Sequence, residues 1–169
     1  MTWYKAATDA NPKQLENYMA LSGLYSALGN WEEAKRVAER ARAIDPTSPH
    51  VANNLAYLYL EHGGDVNMAL TLAQQAKQKL PESPVVSDTI GWAYYKMRSH
   101  DAAITQLSES VRRAPNNAVY HYHLGMAYLA AGRLSNAAWS LQQALTTDPG
   151  FAFAASAKTA LHQITKGTR

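Results

Sequence analysis

In the stretch IGWAY, residues 90–94, an aliphatic residue and a small residue precede a tyrosine by four and three positions. The same arrangement recurs in LSGLY (21–25), LAYLY (55–59) and LGMAY (124–128). A series of prolines repeats at the same interval of 34 or 35 residues: Pro12, Pro46, Pro81, Pro115 and Pro149. A period of this length indicates a repeat protein in which each repeat is one supersecondary unit.

Each repeat contains the pattern of two amphipathic helices. Apolar residues recur at helical spacing, as in Leu21, Leu24, Tyr25 and Leu28. Glycines that suit the left-handed position after a helix follow the first helices of three repeats: Gly29, Gly63 and Gly132. Ser-Pro pairs predict the N-cap and first turn of the next first helix at 48–49 and 83–84. Alanines predict close packing of the second helices: Ala34, Ala41, Ala69, Ala76, Ala103, Ala137 and Ala144.

The period, the small residue, the tyrosine, the alanines and the terminal proline together resemble the tetratricopeptide repeat (TPR) family. The resemblance implies an all-α fold, a right-handed TPR superhelix of antiparallel helix pairs (an α-α solenoid) whose concave groove binds peptides or proteins. We expect these segments: 1–12, the end of a truncated preceding repeat; 13–46, 47–81, 82–115 and 116–149, TPR 1 to 4; and 150–169, a C-terminal capping helix and tail. Within the last segment, residues 151–167 are predicted to be helical.

The composition and motifs favour a globular binding protein over an enzyme. Hydrophobic residues make up 47% of the chain, charged residues 17%, and there is no cysteine, so disulfides and thiol nucleophiles are excluded. No apolar run approaches the length of about 18 residues that a membrane span needs. His121 and His123 lie two apart, on different faces of a helix, and no phosphate-binding or nucleophile motif is present. We expect no enzymatic activity, no cofactor and no metal site.

The resemblance also implies which side chains line the groove, because one stripe of each first helix faces it. In the stretch 88–96, Ile90, Gly91 and Tyr94 are predicted to pack inward, while the other stripe is predicted to face a partner. The predicted groove residues are Asn53, Asn54, Tyr57, Asp88, Trp92, Tyr95, Tyr122 and Met126. Trp92, Tyr57 and Tyr95 are expected to be the anchors, and Trp92→Ala is expected to abolish partner capture while leaving the thermal melt nearly unchanged.

Three other tryptophans have structural interpretations. Trp31 follows a turn at a position where the family favours an aromatic residue, so it is expected to pack. Trp139 falls on the outer side of a second helix, where packing is favoured over a second binding site. Trp3 lies in the truncated N-terminal helix, where its neighbour is expected to be missing.

Several functional alternatives stay open at this point. The leading one is a protein-interaction scaffold that binds a peptide segment or partner helix, and the second is a self-assembly (homo-oligomerisation) module of a larger bacterial envelope protein. Single-stranded nucleic-acid binding is a minor alternative, disfavoured because the basic residues are mixed with acids, as in WEEAKRVAERAR (31–42), and the net charge is only +3.

One stretch carries a narrower resemblance. Residues 88–104, DTIGWAYYKMRSHDAAI, are similar to TPR segments of bacterial envelope proteins tied to exopolysaccharide export and protein sorting, such as PEP-CTERM-associated TPR lipoproteins. This similarity implies a bacterial origin and a periplasmic parent protein. The sequence itself fits either the cytoplasm or the periplasm, because the absence of cysteine is compatible with both.

Overall fold

A computed structural model describes residues 6, 8 and 10–167 of the chain. Between residues 11 and 167 it contains nine α-helices and no β-strand. In chain order the helices are α1 (Leu15–Ala27), α2 (Trp31–Ile44), α3 (Pro49–Glu61), α4 (Val66–Lys79), α5 (Pro84–Lys96), α6 (His100–Arg113), α7 (Ala118–Ala130), α8 (Leu134–Thr147) and α9 (Ala154–Gly167). The predicted all-α fold of helix pairs is confirmed. Trp3 and most of the predicted segment 1–12 lie outside the described residues.

The chain forms two compact units, Met1–Pro81 and Glu82–Arg169. The first unit contains α1 to α4, in which α1 packs on α2 and α3 packs on α4. The helix starts follow from local capping chemistry. The Ser48 hydroxyl accepts a hydrogen bond from the Val51 backbone N–H, and Pro49 occupies the first turn, where its missing N–H is not needed. The Asp65 carboxylate accepts hydrogen bonds from the backbone of Asn67 and Met68 in the same way.

The core of the first unit consists of small residues that let the helices approach closely. The second-helix residues Ala34, Ala41, Ala69 and Ala76 are fully buried, as predicted from their repetition. Ser22 takes the small-residue position of the first repeat, and its buried hydroxyl donates to the carbonyl of Ala34 at 2.8 Å. This bond satisfies the hydroxyl that replaces the alanine or glycine of the other repeats.

The second unit contains α5 to α9, with α5 packed on α6, α7 on α6 and α8, and α9 on α8. A Cβ atom added to Gly91 would lie 2.6 Å from Leu107 Cγ, and one added to Gly125 would lie 2.7 Å from Leu141 Cγ. Each of these glycines therefore lets a leucine of the second helix pack directly against the backbone of the first helix. The repeated tyrosines Tyr94 and Tyr128 are partly buried against the core formed by α6 and α7, which confirms the inward packing predicted for this stripe.

The turn after each first helix needs a left-handed residue. Gly29, Gly63 and Gly132 have φ values of 73°, 74° and 72°, as their positions predict. In the third repeat Arg98 occupies this place, with a φ of 60°. A side chain with a Cβ atom is strained in this conformation, so the third repeat carries a local cost that the glycine-containing repeats avoid.

Candidate partner-binding site

An aromatic stack occupies the first-helix side of the second unit. The Trp92 ring on α5 lies between two other rings, with centroid distances of 4.4 Å to Tyr95 and 4.0 Å to His123 of α7. Both pairs are close to parallel, at interplanar angles of 6° and 16°. This packing leaves only 5% of Trp92 exposed. The indole is therefore a structural layer that ties α5 to α7.

The stack continues to the segment that precedes α9. Tyr122 of α7 is stacked on Phe153 with centroids 4.9 Å apart and an interplanar angle of 5°. Phe151 meets the same tyrosine edge-on at 5.8 Å. We call the set Trp92, Tyr95, Tyr122, His123, Phe151 and Phe153 the aromatic cluster. Because its members come from α5, α7 and residues 151–153, the cluster joins the first helix of the second unit to the turn that precedes its last helix.

A buried acid–imidazole pair fixes the centre of the aromatic cluster. The His123 Nδ1 atom donates to the Asp88 carboxylate, at 3.0 Å from Oδ1 and 2.9 Å from Oδ2. Asp88 is 2% exposed and His123 is fully buried. The second imidazole nitrogen, Nε2, has no hydrogen-bond partner within the described part of the chain. The paired carboxylate orients the imidazole ring, and that ring in turn supports the Trp92 indole.

The outer edge of the aromatic cluster is the part that a partner can reach. Tyr95, Met126 and Phe153 are half-buried, and Lys96 is exposed. The Lys96 ammonium lies 5.1 Å from the centroid of Trp92, a cation–π distance. Burial raises the pKa of the Tyr95 phenol, so this side chain is neutral at physiological pH. The edge thus combines apolar area, one neutral hydroxyl and one cation.

In the first unit the predicted groove residues lie on α3. Asn53 is buried, with 4% of its surface exposed, and its Oδ1 atom has no hydrogen-bond partner among the described residues. Asn54 and Tyr57 are half-buried. These two side chains are the accessible members of the predicted set in this unit.

The expectation that Trp92 presents an exposed indole is wrong, and the same correction applies to Asp88, Tyr122 and Asn53. In the second unit neighbouring aromatic rings cover Trp92 and Tyr122, and Asp88 is buried against the His123 imidazole. Tyr95 and Met126 keep partial exposure. Helical spacing identifies the face of a residue, whereas its exposure depends on what the next helix and the following segment place over that face.

Two features of the site have no counterpart in the sequence-based prediction. The sequence predicts a helix over 151–167, yet α9 begins at Ala154, and Phe151 and Phe153 lie in the preceding turn. The pairing of Asp88 with His123 is also absent from that prediction. The sequence does contain a signal for this turn: Pro149 and Gly150 directly precede Phe151, and adjacent proline and glycine mark a turn rather than a helix interior.

Charged side chains on α2 and α6 form ion pairs. Glu32 pairs with Lys35 at 2.9 Å, and Glu109 pairs with Arg112 at 2.8 Å. Hydrogen bonds from Arg112, and then from Arg113, lower the pKa of Glu109 to about 2. Burial, aided by the Asp88 charge, raises the pKa of Tyr120 to about 12.

The described residues hold neither a metal-binding cluster nor a membrane-spanning helix. The described residues contain no group of three or more histidine or acidic side chains placed to hold a metal ion. Among the helices with described residues, none combines the length and apolar character needed to cross a bilayer.

Comparison with known families agrees with this architecture. Two family models described as tetratricopeptide repeat match residues 89–151 and 3–58, which together make up most of the chain. The chain belongs to the tetratricopeptide repeat family. The members of this family are scaffolds that bind protein partners.

Individual TPR proteins are similar over most of this chain. The bovine BBSome complex member BBS4 is 27% identical over 146 residues, which cover 86% of this chain and 28% of that protein. This TPR chain therefore spans about a quarter of the length of that relative.

Two solved structures show the same fold. A chain of the APC/C hetero-tetramer Cut9–Hcn1 has a TM-score of 0.80 and 21% identity, and the match covers 95% of this chain and 32% of that one. The TPR protein TTC0263 of Thermus thermophilus has a TM-score of 0.79 and 23% identity, over 92% of this chain and 83% of that chain.

Proposed function

We propose that this chain is a protein-interaction scaffold that binds a peptide segment or a partner helix on the first-helix face. In the second unit, the docking area is the outer edge of the aromatic cluster, formed by Tyr95, Met126, Phe153 and Lys96. The observation that carries the proposal is the stacked, buried support beneath this edge. Trp92, His123 and Asp88 hold the half-exposed rings in one arrangement before any partner arrives.

A rigid aromatic edge favours binding for two physical reasons. Half-exposed rings offer a large apolar area, and preordered side chains lose little conformational entropy when a ligand covers them. The Lys96 ammonium adds an attraction for an acidic residue of the ligand. We therefore expect a ligand segment with an apolar or aromatic side chain that is followed or preceded by a carboxylate.

Similar proteins occur in complexes with other proteins, which supports the proposal. The similar bovine protein is a member of the BBSome complex, and the similar Cut9 chain occurs in a hetero-tetramer with Hcn1. The TPR fold is also typical of scaffolds rather than of enzymes. The bacterial envelope and exopolysaccharide context implied by residues 88–104 stays a prediction, as does a periplasmic or cytoplasmic location.

The nucleic-acid alternative is less favoured by the charge arrangement. Lys35, Arg36 and Arg112 all pair with glutamates on their own helices. A basic side chain that already has a carboxylate partner contributes less to phosphate binding, because that pair must first be broken.

The test of this proposal is affinity capture from the source organism, followed by titration of the captured partner or its binding peptide. For a single-site peptide complex we expect a Kd of about 1 μM, which corresponds to about −8 kcal/mol. Tyr95→Ala removes an anchor and is expected to weaken binding by about 30-fold, or about 2 kcal/mol. Thr105→Ala, at an exposed position on α6, is the matched control and should leave the affinity unchanged. Equal affinity of the wild type and Tyr95→Ala would remove the aromatic edge from the binding site.

A further inference from the structure

The turn that follows α5 departs from the chain's own repeat at two positions. Arg98 has a φ of 60°, in the left-handed region, where the other three repeats have glycine. Lys96 has Ala27, Glu61 and Ala130 as its equivalents, so no other repeat carries a cation at either position. A residue with a Cβ atom is strained in the left-handed region, and strained residues concentrate at functional sites. The side chain of Arg98 therefore needs a role that outweighs this strain.

This turn is continuous with the outer edge of the aromatic cluster. The Arg98 backbone N–H donates to the carbonyl of Tyr95 at 2.9 Å, which ties the turn to the last turn of α5. Lys96 and Arg98 are both exposed, and Met97 between them is 40% exposed. The turn therefore extends the aromatic edge by a surface that combines one apolar side chain with two cations.

Neither of these two cations forms an ion pair with a carboxylate in the part of the chain that the structure describes. The contact of the Lys96 ammonium is the cation–π contact within the aromatic cluster. On the next helix, in contrast, Arg112 pairs with Glu109. A cation without a carboxylate partner attracts an incoming anion at no cost of breaking an internal pair.

We propose that Arg98 and Lys96 make the aromatic edge selective for an acidic segment of a partner protein, in which carboxylates flank an aromatic or apolar residue. This inference rests on the function proposed above and specifies the chemistry of its partner. The planar guanidinium of Arg98 suits a carboxylate, which it binds through two parallel N–H···O bonds, and the Lys96 ammonium supplies a second positive charge. The net charge of +3 favours the approach of the same kind of ligand.

An acidic peptide fits this surface better than a nucleic acid does. Proteins bind single strands along a track of cations, with free aromatic faces on which the bases stack. Here Met97 separates the two cations, and the arginines of the next helix, Arg112 and Arg113, pair with Glu109. The Trp92 indole has another ring on each of its faces, so no base can stack on it.

Selection from a displayed library of random short peptides, with the full chain as bait, tests the inference. The wild type should enrich peptides that have Asp or Glu beside an aromatic or apolar residue, and Arg98→Gly should enrich fewer acidic residues. Arg98→Gly should bind the best wild-type peptide about threefold more weakly, the effect of one exposed ion pair. Lys96→Gln combined with Arg98→Gly should weaken binding about tenfold, because two such pairs are lost. Added salt should reduce both differences, since exposed charges are screened.

Three features of the variants separate charge from folding. Arg98→Gly relieves the left-handed strain, so weaker binding by this variant does not come from loss of folding. Arg98→Lys keeps both the strain and the charge and should bind more tightly than Arg98→Gly. Lys158→Gln removes an exposed cation of α9, and this matched control for net charge should leave the affinity unchanged.

The outcomes distinguish this inference from the function on which it rests. Enriched aromatic or apolar peptides without acidic residues would overturn the selectivity but leave the aromatic edge as a binding site. Equal affinity of the wild type and Arg98→Gly for an acidic peptide would have the same meaning, as would tighter binding of a uridine oligonucleotide than of the best peptide. A selection that enriches no peptide at all would overturn both proposals.

Discussion

Replacing Trp92 by alanine should destabilise the second unit strongly, because the indole is an internal layer of the aromatic cluster. Only 5% of it is exposed, and it contacts the rings of Tyr95 and His123 on its two faces. The substitution leaves a void between α5 and α7 and removes two stacking contacts. It also takes away the support of the imidazole that pairs with Asp88.

The magnitude follows from the size of the buried group. Truncating a buried tryptophan to alanine costs about 3–5 kcal/mol, as transfer free energy plus the energy of the cavity. Tyr95 is half-exposed and can move part of the way into the void, so we expect the lower part of that range. A loss of about 3 kcal/mol corresponds to a fall in Tm of roughly 6–12 °C for a chain of this length.

Thermal and urea unfolding followed by circular dichroism measure this effect. Trp92→Phe keeps an aromatic ring in the stack and should cost about 1–2 kcal/mol. Trp139→Ala, measured in dilute protein, is the matched control, because the same side chain is 58% exposed there and its loss should change stability by about 0.5 kcal/mol or less. An unchanged melt for Trp92→Ala would show that the indole lies at the surface and would refute the packing described above.

Three further predictions concern strain and pH. Arg98→Gly should stabilise the chain by about 1 kcal/mol in urea unfolding, since it relieves a left-handed backbone at a turn where other repeats have glycine; a loss of stability would contradict this. Tyr120 keeps its proton in the folded state up to about pH 12, against an ordinary pKa of 10. The stabilisation that comes from this raised pKa is complete below pH 10 and is lost as the pH rises from 10 to 12. Tyr120→Phe should therefore reduce the change of the urea unfolding midpoint with pH over that interval. Glu109, with its pKa lowered to about 2, should stabilise the folded state above pH 4.5, and this stabilisation should be lost as the pH falls toward 2. Glu109→Gln should weaken that acid dependence, and an identical acid profile in both proteins would count against the Arg112 pairing.

The fold could be predicted from the sequence because its determinants are local and repeated. The small residue, tyrosine and alanine recur in register, and each acts through contacts within its own helix pair, as Gly91 does against Leu107. The Ser48 cap and the left-handed Gly29 are also local features. For such elements the pattern along the chain is sufficient.

The candidate site could be predicted less well because burial there depends on distant segments. Periodicity groups Trp92 with Asp88 and Tyr95 on one stripe of the helix, but the exposure of its indole is decided by His123, 31 residues further along. The sequence predicts that Asp88 faces a partner, and it instead pairs with that imidazole. Phe153 falls within a predicted helix although it lies in a turn that stacks on α7. None of these contacts has a repeated counterpart that could have revealed it.

The central claim is that partners contact the first-helix edge of the second unit, and site-specific photo-crosslinking tests it most directly. A photoreactive phenylalanine derivative would replace Tyr95 in one variant and the exposed Thr105 of α6 in the other, and both would be irradiated in cells of the source organism. The account predicts a discrete crosslinked partner from position 95 and none from position 105. Crosslinks to that partner from position 105 alone would contradict it.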